Sequence, residues 1–276
     1  MSEPALEIHA SADAGAAAAA DRIAAALTAA VERRGWAHWA TTGGSTPVAI
    51  YRALADDPYR RSVPWDRVHV WWGDDRFVPR DHPLSNVLPL DQVLVRASAF
   101  AGISGAGDVG PDVEQGLEAG VYIPSDQIHA MPMGPALGAG HDTAWVASRY
   151  GEALRAAGLP PAANGYPTLD VIVLGAGPDG HILSCFPGST AFDGAWVAAV
   201  PAPTHLEPKV PRVSLHPAFV EAAREAIVMA YGAGKADMLA TALASTIDPA
   251  RWPIQHARRS NATWILDEAA AAKLDR

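Results

Sequence analysis

The run DVIVLGAGPDGHILSCFPG at 170–188 constrains this chain more than any other stretch. Four apolar residues, Val171 to Leu174, follow an acid and lead into closely spaced glycines. A short, continuously apolar segment bounded by turn residues reads as a strand buried on both faces, as in a parallel sheet. The turn after it presents Asp179 and His181. In open α/β sheets the carboxyl ends of the strands are the edge that binds ligands.

Gly175, Gly177 and Gly180 also satisfy the spacing G-x-G-x-x-G of a dinucleotide site. That site needs a long helix opening at the turn and a later strand ending in an acid. Here Pro187 and Gly188 stop any helix soon after it starts. Asp179 would lie against the diphosphate, and Asp193 sits in AFDGAW, a loop by composition. The nucleotide reading has the weaker support.

The rest of the chain alternates in the same way. Residues 11–34 are alanine-rich, with Ser11 as N-cap and Gly35 as the residue past the C-terminus, which predicts a helix. The strand Ala37–Thr41 then runs into Gly43-Gly44-Ser45-Thr46-Pro47, and a helix follows from Pro47 to about Ala55, with Pro in its favoured first turn. A strand at Val68–Trp72 ends in Gly73-Asp74-Asp75-Arg76, and Asn86 to Val95 reads as a helix. A helix near His141–Ala157 precedes the 170–175 strand. Strands at Ala226–Ala230 and Thr263–Leu266 flank a helix at 233–244. Strand and helix in alternation predict an α/β fold with a doubly wound, mostly parallel sheet and flanking helices. No repeat or linker divides the chain, so residues 1–276 read as one domain. Residues 96–120 are rich in Gly, Ala and Asp without a period, the mark of a long loop or insertion.

Composition narrows the function. A formal charge of −9 and the absence of any Lys/Arg run longer than two argue against nucleic acid as a partner. Cys185 is the single cysteine, which excludes an internal disulfide and fits a reducing cytoplasm. No membrane segment is expected: the N-terminus is acidic, and the Ala16–Ala20 run is short and ended by Asp21 and Arg22. No metal-ligand spacing appears, and no cofactor is implied.

Three predicted strand ends carry polar clusters, at 43–46, 74–76 and 179–181. In a parallel sheet these ends share one edge, so the clusters can converge on one pocket. Gly43, Gly44, Ser45 and Thr46 before a helix suit an anion, through free amides, the helix dipole and two hydroxyls; a plain capping turn is the alternative. Asp74, Asp75 and Arg76 suit either polar substrate groups or a salt-bridged surface loop. His181, two residues after Asp179, suits a general base whose tautomer the acid sets. Cys185, between apolar neighbours, reads as an inert buried thiol. Against only three lysines, Lys235 stands out beside glycines.

Together these segments resemble the 6-phosphogluconolactonases, part of a wider superfamily of sugar-phosphate isomerases and deaminases. The resemblance spans most of the chain. It rests on TTGGSTP at 41–47, WWGDDRFVPRDHPLSN at 71–86, DVIVLGAGPDGH at 170–181 with FPG at 186–188, PRVSL at 211–215, GAGKADML at 232–239 and WILDEAAA at 264–271. It implies a cofactor-free, metal-independent cytoplasmic hydrolase, monomer or small homo-oligomer, that opens 6-phosphoglucono-δ-lactone to 6-phosphogluconate in the pentose phosphate pathway. His181 would activate water, with Asp179 orienting it. Gly43, Gly44, Ser45, Thr46 and Lys235 would hold phosphate. Arg76 would face phosphate or the developing oxyanion, Arg212 is a further cation, and Asp74 and Asn86 complete the substrate-binding set. The alternatives are a glucosamine-6-phosphate deaminase/isomerase or a non-catalytic sugar-phosphate binder; the deaminases carry a glutamate where this chain has Phe186. The chain also departs from the lactonase pattern in Ile182-Leu183 after the histidine, in Asp75 where Glu is usual, and in an insertion near 96–122.

Overall fold

In the computed structural model, residues 3–44, 46–95 and 120–274 are described. Ser45, in the glycine loop, and positions 96–119, most of the expected insertion, lie outside them; Val121 bridges to Val95 at the end of that segment.

The chain opens with strand β1 (Ala5–His9) and helix α1 (Ala12–Arg34). The helix begins because the Ser11 hydroxyl accepts the Ala14 amide at 3.2 Å, an N-cap worth about 1 kcal/mol. It ends because Gly35 takes the left-handed conformation, φ 82°, and returns its amide to Val31. Then come β2 (Ala37–Thr41), α2 (Thr46–Ala55), the single turn α3 (Tyr59–Ser62), β3 (Val68–Trp72), β4 (Asp74–Arg76) and α4 (Leu88–Val93). Past the gap follow β5 (Ile128–His129), α5 (Met133–Ala139), α6 (Thr143–Ala156), capped by Asp142, and β6 (Val171–Gly175). The C-terminal third holds β7 (Val197–Val200), β8 (Arg212–Leu215), α7 (Ala218–Ala222), β9 (Glu225–Ala230), α8 (Ala236–Ala244) and β10 (Ala262–Asp267).

Seven strands form one parallel sheet in the order β1-β10-β9-β6-β2-β3-β5. Alternation along β6 shows why it is apolar throughout. Val171 and Val173 point into a cluster with Ile23 and Leu27 of α1 and Ile50 of α2, while Ile172 and Leu174 point into a second cluster with Tyr150 of α6 and Leu239 of α8. Each such side chain leaving water contributes about 1.5–3 kcal/mol, and both faces of the sheet are used. The doubly wound, mostly parallel α/β fold read from the sequence is the one observed. Among the described residues, α1 is the one helix long and apolar enough to cross a membrane, but its Ala16, Ala19, Ile23, Leu27 face is packed in this core.

One part of the sequence reading is corrected. Asp74–Arg76 is not a loop: it is the edge strand of a separate antiparallel sheet, β4-β8-β7. Short polar strands give no period to read, and β4 and β8 pair across 135 or more positions, which no local pattern reveals. Strands β1, β5, β7 and β8 and helices α3, α5 and α7 likewise fall outside the elements expected from the sequence. The helix expected from Asn86 starts later, at Leu88, since Asn86 is engaged elsewhere.

Candidate functional site

From the β6–β2 pair the strand order rises outward through β9 and β10 on one side and β3 and β5 on the other, with β1 added beyond β10. That pair is the topological switch point, where the loops after two neighbouring strands part and leave a crevice. The loop after β2 carries Gly43 and Gly44 into α2, and the loop after β6 carries Asp179 and His181. The small sheet stands beside them with Arg76 and Arg212.

Gly177 and Gly180 make the 176–181 turn possible. A methyl on Gly177 would lie 2.0 Å from Nδ1 of His181 and 2.7 Å from Oδ1 of Asp179, so only glycine leaves room for the pair. Gly180 sits at φ 82° against Trp252. The turn closes with the Gly177 amide donating to the His181 carbonyl at 2.8 Å. Asp179 Oδ1 meets His181 Nδ1 at 2.6 Å and also accepts the His181 amide at 3.2 Å. Asp179 Oδ2 lies 2.9 Å from Nε2 of His205. Burial pushes the Asp179 carboxyl up, but the hydrogen bonds from His181 and His205, with the charge interaction of His181, outweigh it and hold the group well below the usual carboxylate range. Asp179 is therefore ionised at neutral pH. Its partner Nδ1 is taken, which leaves Nε2 of His181 as the nitrogen able to act on a ligand.

Arg76 and Arg212 face one another as partners across β4 and β8. Arg76 donates through Nη1 to the Leu84 carbonyl at 2.9 Å and to Asn86 Oδ1 at 2.7 Å, and Arg212 through Nη2 to the Pro208 carbonyl at 3.4 Å. Each keeps a buried Nε without a partner. Two guanidinium groups side by side, each with an unsatisfied donor, call for an anion. The Arg212 guanidinium carbon lies 5.2 Å from the Phe186 ring, which also packs against the His181 ring at 4.9 Å. Arg212 thus reaches the edge of the Asp–His pair. Lys235, in a turn of 3₁₀ helix before α8, is half-buried; desolvation lowers its ammonium and the charge of Asp179 opposes that.

The remaining candidates support these groups from behind. Asn86 is buried, and its amide spans the site: Oδ1 accepts from Arg76 while Nδ2 donates to the Asp74 carbonyl at 2.8 Å. It also fills the space beside Gly43, where a methyl would lie 1.8 Å from Asn86 Oδ1. The glycine loop and Arg76 are therefore locked together through one amide. Asp74 is buried too, with Oδ1 on Asn86 Nδ2 at 3.2 Å and Oδ2 accepting from Ser184 Oγ at 2.6 Å. Both oxygens are used inside the protein, so Asp74 fastens the 182–185 segment to β4. Asp75 takes the Asn86 and Arg76 amides at 2.7 and 2.8 Å, yet burial still raises it to about 7. The salt-bridged surface loop weighed for these acids does not occur. Gly44, at φ 88°, and Thr46, the first residue of α2, sit where the anion loop was expected.

Leu183 is the described non-glycine residue with positive φ, 55°; it lies over Gly73, with its Cδ2 2.5 Å from where a Cβ would stand. Ile182 is fully buried. The Ile182-Leu183 departure is thus a matter of packing beneath the turn. Cys185 is buried and its thiol is pushed up to about 11 by desolvation, as an inert thiol should be. Among the described residues, no cluster of three or more His, Cys, Asp or Glu is arranged to hold a metal ion. A groove of about 440 Å³ runs on from Asp179 between Pro187, Met238 and Trp252. His205 and Phe186 are the site residues that sequence reasoning did not assign to the pocket. The one available signal for His205 was a lone histidine in a proline-rich approach to PRVSL, PAPTHLEPKV.

A parallel sheet whose switch point joins a glycine loop, paired arginines and an Asp–His couple is the framework of one class of phosphosugar proteins. The chain belongs to the family of glucosamine-6-phosphate isomerases/6-phosphogluconolactonases, whose sequence pattern matches residues 10–266. Within it, the chain is 34% identical to the 6-phosphogluconolactonase of Mycobacterium tuberculosis, over 98% of each chain. It is 32% identical to that of Streptomyces coelicolor, over 99% of this chain and 95% of the relative. The 6-phosphogluconolactonase structure from Trypanosoma brucei superposes with a TM-score of 0.78 at 27% identity, covering both chains fully. A monomeric glucosamine-6-phosphate deaminase of the NagB superfamily superposes at a TM-score of 0.72 with 15% identity, covering 98% of this chain and 99% of the deaminase, a likeness of fold alone.

Proposed function

We propose that this chain is a 6-phosphogluconolactonase and that His181 is its general base. The enzyme hydrolyses 6-phospho-D-glucono-1,5-lactone to 6-phospho-D-gluconate, a step of the oxidative pentose phosphate pathway. The observation that carries the role of His181 is its 2.6 Å bond to Asp179, which occupies Nδ1 and leaves Nε2 as the nitrogen able to act on a ligand. Nε2 takes a proton from water, and the hydroxide oxygen bonds to the lactone carbonyl carbon. The carbonyl π electrons move to oxygen, and the resulting oxyanion is stabilised by a guanidinium group. As it collapses, the ring C–O bond breaks and the departing ring oxygen takes the proton back from His181. One water is consumed and the base is restored. Asp179, ionised throughout, steadies the imidazolium between the two transfers.

Phosphate is held by the Gly43–Thr46 loop and Lys235, with Arg76 and Arg212 as the cations along the path to the carbonyl. Locally focused charge of this kind draws an anionic substrate to a protein of net charge −9. Asp74 and Asn86 act by positioning Arg76 and the loop. Residues 1–276 work as one α/β unit, a reading supported by two core clusters that cover the two faces of a single sheet. The setting is a reducing cytoplasm, and the protein is a monomer or small homo-oligomer.

The test is hydrolysis of freshly generated lactone in metal-free buffer containing chelator, with the spontaneous rate subtracted. Wild-type protein should accelerate the reaction, and His181→Ala should lower kcat at least ~100-fold with an unchanged circular dichroism spectrum. Wild-type rates at background would overturn the lactonase reading; release of ammonia from glucosamine 6-phosphate would then identify a deaminase. A wild-type rate equalled by His181→Ala would keep the reaction and remove the base.

A further inference from the structure

We infer that His205 is a positioning residue for this reaction, holding Asp179 from the side opposite His181 so that the catalytic imidazole keeps one orientation. The inference rests on the lactonase reading above for its effect on turnover. Asp179 has two carboxylate oxygens, and a different histidine claims each: Oδ1 lies 2.6 Å from His181 Nδ1, and Oδ2 lies 2.9 Å from His205 Nε2. The two histidines come from unrelated parts of the fold. His181 stands on the turn that ends β6, whereas His205 reaches over from the loop between β7 and β8, the strands of the small sheet. Phe186 packs against both rings, tilted to His181 at 4.9 Å and edge-on to His205 at 5.8 Å. The site thus closes on Asp179 with a histidine on each oxygen and one aromatic ring wedged under the two.

The second bond matters for a physical reason. A carboxylate with one donor can rotate about its terminal torsion, exchange oxygens and carry its partner with it, since that torsion is broad and nearly two-fold. A donor on the other oxygen removes this freedom. The His181 ring then has one tautomer and one direction for Nε2, the precondition for a proton transfer that depends on tenths of an ångström. Lys235 and Arg212 also act on Asp179, but through charge, which sets no direction. The His205 side chain is 50% exposed, against 20% for Asp179 and 19% for His181, so its loss removes a clamp without opening the core.

The experiment compares His205→Ala and His205→Gln with wild type by steady-state hydrolysis of the lactone, and follows the Nδ1 proton of His181 by NMR. Gln places an amide N–H near the position of imidazole Nε2. The Ala variant should lose about tenfold in kcat while KM stays within about twofold, and the Gln variant should recover most of the lost turnover. The His181 Nδ1 proton, shifted downfield by its carboxylate in wild type, should broaden or vanish in the Ala variant and return in the Gln variant. An unchanged kcat in the Ala variant, a change confined to KM, or equal losses in Ala and Gln would overturn the inference while leaving the lactonase intact. If the wild type itself fails to hydrolyse the lactone, the functional reading fails instead. The NMR signal, which needs no turnover, then decides the positioning role alone: an unaltered Nδ1 proton in the Ala variant overturns it.

Discussion

Two groups of histidines sit on this molecule, and they are opposites. At the carboxyl ends of the strands, His181 and His205 bracket an ionised carboxylate at the crevice. Elsewhere on the large sheet, His38 of β2 and His69 of β3, near the amino ends of their strands, and His129 of β5, level with Trp71, are stacked on one another and on Trp71. The His38 and His69 rings lie 4.8 Å apart, His69 and His129 5.1 Å, and His129 and Trp71 3.8 Å. Their nitrogens meet aromatic donors and each other: Trp71 Nε1 donates to His38 Nδ1 at 3.2 Å, and His69 Nδ1 lies 2.8 Å from His129 Nε2. Desolvation, with repulsion among the rings, drives His38 and His129 down to about 4, and burial lowers His69 as well. The imidazole is the same in both places. What differs is the partner, a carboxylate at the crevice and a buried aromatic wall in the stack, where desolvation disfavours the charged ring.

The largest effect that sharpens this contrast is the loss of at least ~100-fold in kcat for His181→Ala described above; His129→Gln, in the stack, should leave kcat within about twofold. Gly177→Ala comes next. A methyl 2.0 Å from His181 Nδ1 cannot be accommodated without moving the Asp–His pair, so kcat should fall by about tenfold or more while the melting temperature moves by a few degrees. If Gly177→Ala is fully active, the observed pair is not the working geometry.

Acid titration separates the two groups in the opposite sense. The folded pKa values of His38 and His129 lie below the unfolded value near 6.5, so the unfolded chain binds protons first. Stability is then full above pH ~6.5 and declines as pH falls toward about 4. Replacing His129 by Gln should flatten that decline by about 2 kcal/mol between pH 7.5 and 4.5 in urea unfolding. Asp179 has a lowered folded pKa, so its contribution is present above the ordinary carboxylate range and is lost only as pH drops below it. Asp179 should therefore leave no mark on stability in the window where the stack does. The smallest effect is expected at Cys185: with its thiol pushed up to about 11, it should resist iodoacetamide at pH 7.5, and Cys185→Ala should keep activity within twofold.

Five of the seven strands of the large parallel sheet, and the groups at its switch point, are legible in the sequence. β2, β3 and β6 are local apolar runs leading into glycine, and α1 and α6 carry side-chain N-caps in Ser11 and Asp142, so short-range physics specifies them. The turn at 176–181 is legible for the same reason, since glycines at 177 and 180 are the local condition for Asp179 and His181 to meet. Tertiary structure alone decided the rest. That Asp74–Arg76 is a strand depends on β8, more than 130 residues away, and on a pairing with no periodic signature. That Asp74 and Asn86 face inward to brace Arg76, while Arg76 and Arg212 keep unpaired donors, depends on which side of that small sheet is covered. His205 has no local mark beyond being a lone histidine in a proline-rich stretch: its meaning comes from a carboxylate oxygen left open by a turn 26 positions earlier, and closed only when the loop between β7 and β8 folds back across it.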